Sequence, residues 1–527
     1  MNTAEFLSIS AAIVPERIAI ATEDEKVTYS ELQSKVNKIA NSLSLLGVKK
    51  GQNVGVMAVN CIQMIELYYA TASLGATFVP LNYRSKPEEL EYMISSAEIA
   101  VLFVSERYLP IYESISDNLK NIKHLVTIDC DLDQYESYSN LVKNGEDIPV
   151  FTEIDDDDAT LIIYTSGTTN LPKGVVLSFK ALTALVVNTQ SPADPVSDQE
   201  VILVSVGFYH IAGATTLMSA IFSGRQLVLL DGFQPDEWID AVESNHVTHA
   251  FVVPTMLKRI MEVDNFSKRN FSSLKLITYG AAPMPYDVVK EAVNLFGTDK
   301  ADVGLMNAYG QTEATGSMTF LGPDDHRIDG NKDENERKVK RLRSVGKPMP
   351  DIEIGILNPS GDVLPANEEG EICIRGERIM KGYKGRDDET DSAMQGGWLH
   401  TGDVGKLDEE SYLFITGRIK DMIIRGGENI APAEIEQVLE EHDSIAEAAV
   451  IGIEDNDWGE IIKAIVIHSS GDIPSLEELT NFVKLKLASY KSPASYEWVD
   501  DLPRNHLGKV LKNDLRKIYS SKTDSID

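Results

Sequence analysis

Four short segments of this 527-residue chain carry residue types suited to handling a nucleotide. The first is Tyr164-Thr165-Ser166-Gly167-Thr168-Thr169-Asn170-Leu171-Pro172-Lys173-Gly174, which follows an apolar run, Leu161 to Tyr164, that reads as a strand. Glycine lets backbone approach a ligand closely, hydroxyls and N–H groups donate, and Lys173 supplies a point charge, so this loop suits a polyphosphate. It is not a Walker A loop: no Ser or Thr follows the lysine, and the Gly–Lys spacing differs. The second, Tyr309-Gly310-Gln311-Thr312-Glu313, offers a ring to stack on a base and hard oxygens suited to Mg²⁺. The third, Trp398-Leu399-His400-Thr401-Gly402-Asp403 with Gly417-Arg418 behind it, offers a carboxylate able to accept from two ribose hydroxyls. The fourth, Pro503-Arg504-Asn505-His506-Leu507-Gly508-Lys509-Val510, has the pattern of an exposed lysine on a mobile loop. Standing alone, the last three segments read as a solvated turn, an ordinary Asp in a turn and a surface lysine.

The elements that must carry these segments are legible as an α/β pattern. Thr28 and Glu31 form a capping box ahead of Leu32, Val36, Ile39, Leu43 and Leu46 at helical spacing, and Gly47 suits the position after the helix. A strand at Val54 to Val59, a helix at Ile62 to Leu74 and a strand near Phe78 and Val79 give a βαβ rhythm. Val201 to Phe222 holds no Asp, Glu, Lys or Arg and has the length of a membrane span. Its hydroxyls, His210 and glycines favour a buried strand, a turn and a buried helix instead. The charged stretch Asp324 to Arg343 is expected to be a solvated excursion, and its basic run Arg337, Lys338, Lys340, Arg341, Arg343 a solvated loop more than a contact for CoA phosphates. After Asp351 short strands dominate. From Met422 the order strand, helix, strand, strand, helix predicts a compact α+β unit. Division into residues 1–418, a hinge at 419–421 and residues 422–527 is expected.

The chain is too long for one hydrophobic core. Its formal charge of −33 disfavours nucleic acid and anionic membranes as partners and also repels ATP at long range, so a nucleotide site must bring its own cations. That acidity fits either a salty cytoplasm or simple solubility. Cys61, Cys130 and Cys373 form no CxxC pair, which points to a reducing, cytoplasmic setting without a disulfide framework or zinc site. Met1 to Val14 lacks the basic flank of a signal peptide.

In this order and at these intervals, the four segments resemble the adenylate-forming superfamily, and within it the acyl-CoA synthetases. Gly280-Ala281-Ala282-Pro283, Ser344-Val345-Gly346-Lys347-Pro348, Gly370-Glu371, Gly426-Gly427-Glu428-Asn429-Ile430 and Tyr490-Lys491-Ser492-Pro493 add to the likeness, which runs from about Thr28 to Lys512. The resemblance implies a large N-terminal domain of stacked α/β subdomains with a β-barrel-like subdomain, and a small mobile α+β C-terminal domain. It implies an AMP-forming acid–thiol ligase acting on ATP, Mg²⁺ and CoA.

By the same resemblance, Thr165, Ser166, Gly167, Thr168, Thr169 and Lys173 hold the β- and γ-phosphates. Ala281, Ala282, Pro283, Asn307, Ala308, Tyr309 and Gly310 border the nucleotide, and Tyr309 stacks on adenine. Thr312 contacts the α-phosphate. Glu313, with Thr168, binds the metal. Asp403 holds the ribose with Arg418 nearby, and Lys509 bridges the carboxylate and the α-phosphate. Lys420 falls at the hinge, and Gly426, Gly427 and Glu428 at the CoA tunnel. His210, Val253, Gly280, Ala281, Met306, Ala314, Thr315 and Gly316 border the acyl pocket. His210 either gates the carboxylate or the thiol tunnel or is simply a buried histidine paired to backbone, and a general-base role is not expected of it. Asn170, Phe179 and Lys512 depart from the usual pattern, and none removes a principal reacting group.

The implied acid is medium- or long-chain aliphatic, alicyclic or aryl. The alternative is a stand-alone enzyme that loads a carrier-protein thiol. No carrier domain follows Asp527, which favours CoA. A homodimer is compatible with the likeness.

Overall fold

The computed structural model describes all residues except 166–170, 297–301, 329, 456, 470–472, 505–507 and 521–527, and the side chain of Asn429. Four sheets organise the chain. One runs in the order Gly382–Tyr383, Lys173–Ser178, Ala159–Thr165, Thr77–Pro80, Asn53–Met57, Ile99–Val104, His124–Thr127, Glu136–Ser137, and is parallel from Ala159–Thr165 onward. A second, nine-stranded sheet is parallel across Ile18–Ala21, Gln226–Leu229, Val201–Val204, His249–Val252, Leu276–Gly280 and Gly304–Gln311. Helices connect these strands, and strands such as Asn53–Met57 are buried along their whole length, as parallel strands covered on both faces should be.

A third, antiparallel sheet of Ile352–Leu357, Gly370–Gly376, Trp398–Leu407, Met394–Gln395 and Leu413–Arg418 stands where the barrel-like subdomain is expected. The fourth sheet, within residues 423–499, carries the helices Pro432–Glu440 and Leu476–Lys486. The fold is therefore mixed α/β with a large N-terminal and a small C-terminal part.

Local chemistry explains the elements. Thr28 accepts from the Glu31 N–H while Glu31 accepts from the Thr28 N–H, capping the helix Tyr29–Leu45. Val201–Phe222 is split into the strand Val201–Val204 and the helix Ile211–Phe222, and among the described residues no helix is long and apolar enough to cross a membrane. The excursion at Asp324 to Arg343 differs from expectation, because it contains the helix Lys332–Arg341. Asn331 caps its start, Asp333 and Glu334 occupy its first turn, and Lys338, Lys340 and Arg341 its last, so the charges complement the helix dipole. The acidic-then-basic order was itself the signal of a helix.

The buried apolar clusters divide along the chain. Those of the first three sheets draw on residues up to Leu413, and those of the fourth only on residues from Ile423 onward. Among the described residues no apolar cluster joins the two sets. The seam is polar: Arg343 pairs with Glu441 at 2.7 Å and lies over the Tyr286 ring.

Candidate active site

Parallel strands direct their carboxyl ends toward one edge of a sheet, where ligands of open α/β folds bind. Val201–Val204 leads to His210, His249–Val252 to Val253, Leu276–Gly280 to Ala281-Ala282-Pro283, and Gly304–Gln311 to Thr312 and Glu313. Asn307, Ala308, Tyr309 and Gly310 lie on the last of these strands. Two glycines permit the close backbone approach there. A Cβ on Gly280 would lie 2.1 Å from the Ala308 carbonyl oxygen, and one on Gly310 would lie 1.9 Å from that of Gly316. Ala281 turns out of its strand at φ +68°, a left-handed conformation costly for a residue with a Cβ.

Asp403, the expected ribose ligand, is the hub of a second cluster. It is 9% exposed, accepts from the Tyr309 hydroxyl at 2.7 Å and from Arg418 Nε at 2.6 Å, and faces Arg418 directly in the antiparallel ladder. Burial, and then the Asp403 charge, push the Tyr309 phenol well above its usual range. Thr401 donates to the Ile372 carbonyl and accepts from the Asp403 N–H, while Glu371 accepts from the Gly402 N–H and lies 2.7 Å from His400 Nδ1. Cys373 Sγ stands 3.4 Å from the same ring nitrogen. Glu371, Cys373 and His400 are the one trio of potential metal donors gathered within 4.8 Å among the described residues. Their contacts here brace the turn that presents Asp403. Sequence reasoning missed this bracing, although Cys373 and His400 fall opposite each other in the ladder.

Lys509 joins this group from the C-terminal part. Burial and the neighbouring Arg418 push its ammonium down to about 8, with Lys420 adding to this and Asp403 and Asp421 opposing it. It is half-buried, where its local pattern suggested exposure. Arg504 and Val510 form a bridge that closes the segment, Arg504 donates to the Gly508 carbonyl, and a Cβ on Gly508 would meet Thr255 of the large part at 2.8 Å.

Of the residues expected to hold the phosphates, Thr165 pairs with Lys173 across adjacent strands. Ser166, Gly167, Thr168 and Thr169, including the expected metal ligand Thr168, lie outside the described residues. Lys173 pairs with Glu389 and lies 4.8 Å above the Tyr383 ring, whose hydroxyl donates to Glu313 Oε1 at 3.0 Å. Mg²⁺ takes few protein carboxylates and fills its shell with water and phosphate oxygens, so a single Glu313 fits that ion. Tyr383, Arg386 and Glu389 were not anticipated from sequence.

The acyl-side residues are more dispersed. His210 precedes the helix Ile211–Phe222 and its ring lies 4.3 Å from that of Tyr209. A side chain at Gly316 would point at Thr215 and Ile211 of that helix, at 3.7 and 3.8 Å. Val253 is buried, Met306 half-buried, and Ala314 lies wholly within the apolar core. Thr315 is buried and donates to the carbonyl of Arg378, a fully buried guanidinium paired with Asp351 at 2.8 Å.

One group stands apart from the Asp403 hub. Gly426 and Gly427, at φ +59° and +88°, form the tip of the hairpin Ile423–Arg425/Glu428–Ile430. Two positive φ values suit a type I′ turn. With Glu428 they are exposed, and the Gly426 N–H donates to the carbonyl of Trp458, in the turn before the strand Gly459–His468, at 2.7 Å. Lys420, in the one-turn helix Ile419–Asp421, lies beside the hub instead: burial and Arg418 push its ammonium down, with Asp421 and Asp403 opposing.

Carboxyl ends of parallel strands, a buried carboxylate paired with an arginine, and a lysine from the C-terminal part are the arrangement the resemblance to adenylating ligases implies. Comparison with known proteins agrees. A family profile described as "AMP-binding enzyme" matches residues 7–384, and one described as "AMP-binding enzyme C-terminal domain" matches 434–509. A 2-succinylbenzoate–CoA ligase of Bacillus cereus is 33% identical over 515 residues, 96% of this chain and 97% of that protein. An indoleacetate–CoA ligase of Aromatoleum aromaticum is 31% identical over 525 residues, 99% of each. The solved o-succinylbenzoate CoA synthetase of Bacillus subtilis, in complex with an acyl-adenylate, superposes with a TM-score of 0.81 at 31% identity over 97% of each chain. The chain belongs to the AMP-binding enzyme family, among its acyl-CoA synthetases, and is an AMP-forming acid–thiol ligase.

Proposed function

We propose that this ligase joins an aryl or aryl-alkyl carboxylic acid to the thiol of CoA through an acyl-AMP. The observation that carries the adenylation step is the gathering of Tyr309, Asp403, Arg418 and Lys509 from both parts of the chain. The aryl class is supported by the substrates named for the relatives.

In the first step a carboxylate oxygen attacks the α-phosphorus, the bond to the bridging oxygen breaks, and pyrophosphate leaves with those electrons. Two anions must meet, and Lys509 offsets the charge that accumulates between them. Tyr309 and Asp403 hold the nucleoside, Thr312 the α-phosphate, and Lys173 the terminal phosphates. Mg²⁺ on Glu313, when bound, neutralises phosphate charge. In the second step the CoA thiolate attacks the acyl carbonyl and AMP departs as leaving group. The polar seam and the absence of a shared apolar cluster support a hinge at 419–421, with Lys420 in it, about which residues 422–527 turn. Turning would withdraw Lys509 and bring the Gly426–Gly427 tip to the thiol path.

A panel of carboxylates assayed for pyrophosphate release with and without CoA tests this reading. Aryl acids should give release and a CoA thioester. Thioester formation only on a phosphopantetheinyl carrier protein, or preference for unbranched aliphatic acids, would refute it.

A further inference from the structure

Glu389 occupies an unusual place. It lies in the short helix Asp387–Ala393, whose first turn is wholly acidic, yet its carboxylate spans two cations. One oxygen pairs with Lys173 and the other accepts from Arg386 Nη1 at 2.8 Å. Arg386 is itself fixed against the phosphate loop, donating to the Pro172 carbonyl at 3.3 Å and to the Tyr92 hydroxyl at 2.8 Å. Thr390 secures the segment by donating to the Arg386 carbonyl and accepting from the Tyr383 N–H. Tyr383 in turn underlies Lys173 and donates to Glu313. The Lys173 ammonium holds the Glu389 carboxyl below the usual carboxylate range, against the opposing effect of burial.

A carboxylate shared between a lysine and a guanidinium matches the donor pattern that phosphate oxygens take. We propose that Glu389 is a resident stand-in for the terminal phosphates of ATP. It gives up Lys173 and Arg386 when the triphosphate enters and reclaims them as pyrophosphate departs, so that Arg386 is a second cation on the leaving group. This rests on the assignment of Lys173 to the phosphates made above. The exchange keeps two clustered cations paired at every stage in a chain of charge −33, and no pair need be broken without another forming. It also discriminates by phosphate count. AMP, which lacks the β- and γ-phosphates, does not compete with Glu389.

The test measures binding of a non-cleavable α,β-methylene ATP, of pyrophosphate and of AMP by calorimetry at fixed ionic strength. Glu389→Gln keeps shape and removes charge, and should tighten the first two by about three- to tenfold while leaving AMP unchanged, as expected when one half-exposed ion pair is no longer broken. Its pyrophosphate release should slow in proportion. Asp388→Asn removes the same charge from the exposed neighbouring position and should do neither. Equal effects from the two variants, or no effect of Glu389→Gln, would overturn the proposal. Lys173→Met separates the two levels: if it weakens the ATP analogue while Glu389→Gln changes nothing, the phosphate assignment stands and the stand-in falls. If Lys173→Met leaves the analogue's affinity intact, both fall.

Discussion

Replacing Lys509 is the most direct probe of the adenylation step. Its ammonium is pushed down to about 8 by burial and by Arg418, well under the ordinary lysine range. A group with that constant is about 90% charged at pH 7 and about 10% charged at pH 9. If only the charged form can join the two anions, kcat/KM for acyl-AMP formation in the wild type should fall to about one tenth between those pH values. The limb reports the free enzyme, so it should appear in kcat/KM; ATP, by bringing negative charge beside Lys509, should displace it to higher pH in kcat. Lys509→Ala should lose about 100-fold or more at pH 7, in line with removal of one aimed charge from a transition state. Lys509→Arg should be slower than wild type but should lack the alkaline limb, because guanidinium keeps its proton throughout. Exchange of labelled pyrophosphate into ATP, in the absence of CoA, measures this half-reaction alone. Wild-type exchange rates for Lys509→Ala, or an unchanged alkaline limb in Lys509→Arg, would refute the reasoning.

Three further outcomes are expected. Asp403→Asn leaves Arg418 without its carboxylate and the ribose with a weaker acceptor, so AMP and ATP should bind about 10- to 100-fold more weakly while pyrophosphate binding holds, as calorimetry can show. Arg378→Met strands the buried carboxylate of Asp351, and should cost about 3–5 kcal/mol in a urea titration, with part regained by adding Asp351→Asn. Glu440 is pushed up to about 8, first by burial and then by Glu436, Glu447 and Asp287 across the seam, against the Ala448 N–H. The folded chain thus keeps a proton that the unfolded chain loses near 4.5, so this group's stabilisation is full below about pH 4.5 and is lost as pH rises through about 8. Glu440→Gln stays neutral, so its thermal midpoint should fall less over that window and exceed wild type at pH 8 by about 2–4 °C.

Much of this was legible in residue order because the signals were local. Thr28 and Glu31 marked a helix start, Pro432 to Glu440 reads as a helix and is one, and the strand Ile352–Leu357 has the expected bounds. The nucleotide-side residues stood out because glycines, hydroxyls and a lysine close together have few structural uses in common. What escaped was set by pairing across long separations. Glu389 meets Lys173 only because Gly382–Tyr383 adds to the edge of the first sheet, more than 200 residues after Lys173. The bracing of Asp403 by Glu371 and His400 depends on ladder register, and Lys509 lies among Arg418, Asp403, Lys420 and Asp421, the farthest more than 100 residues before it in the chain. No window of sequence contains those neighbours.

Among the described residues the two parts share no apolar core, and this has a consequence for endurance. A close-packed apolar boundary parts all at once and wets its interior; one made of separate charge pairs and single ring contacts comes apart bond by bond, with water ready to replace each partner. On the rotation proposed above, either part would swing away and return through a full reaction cycle while its own interior stays dry. Wear on the enzyme is then governed by the stability of each lobe at rest, and not by how often it turns over.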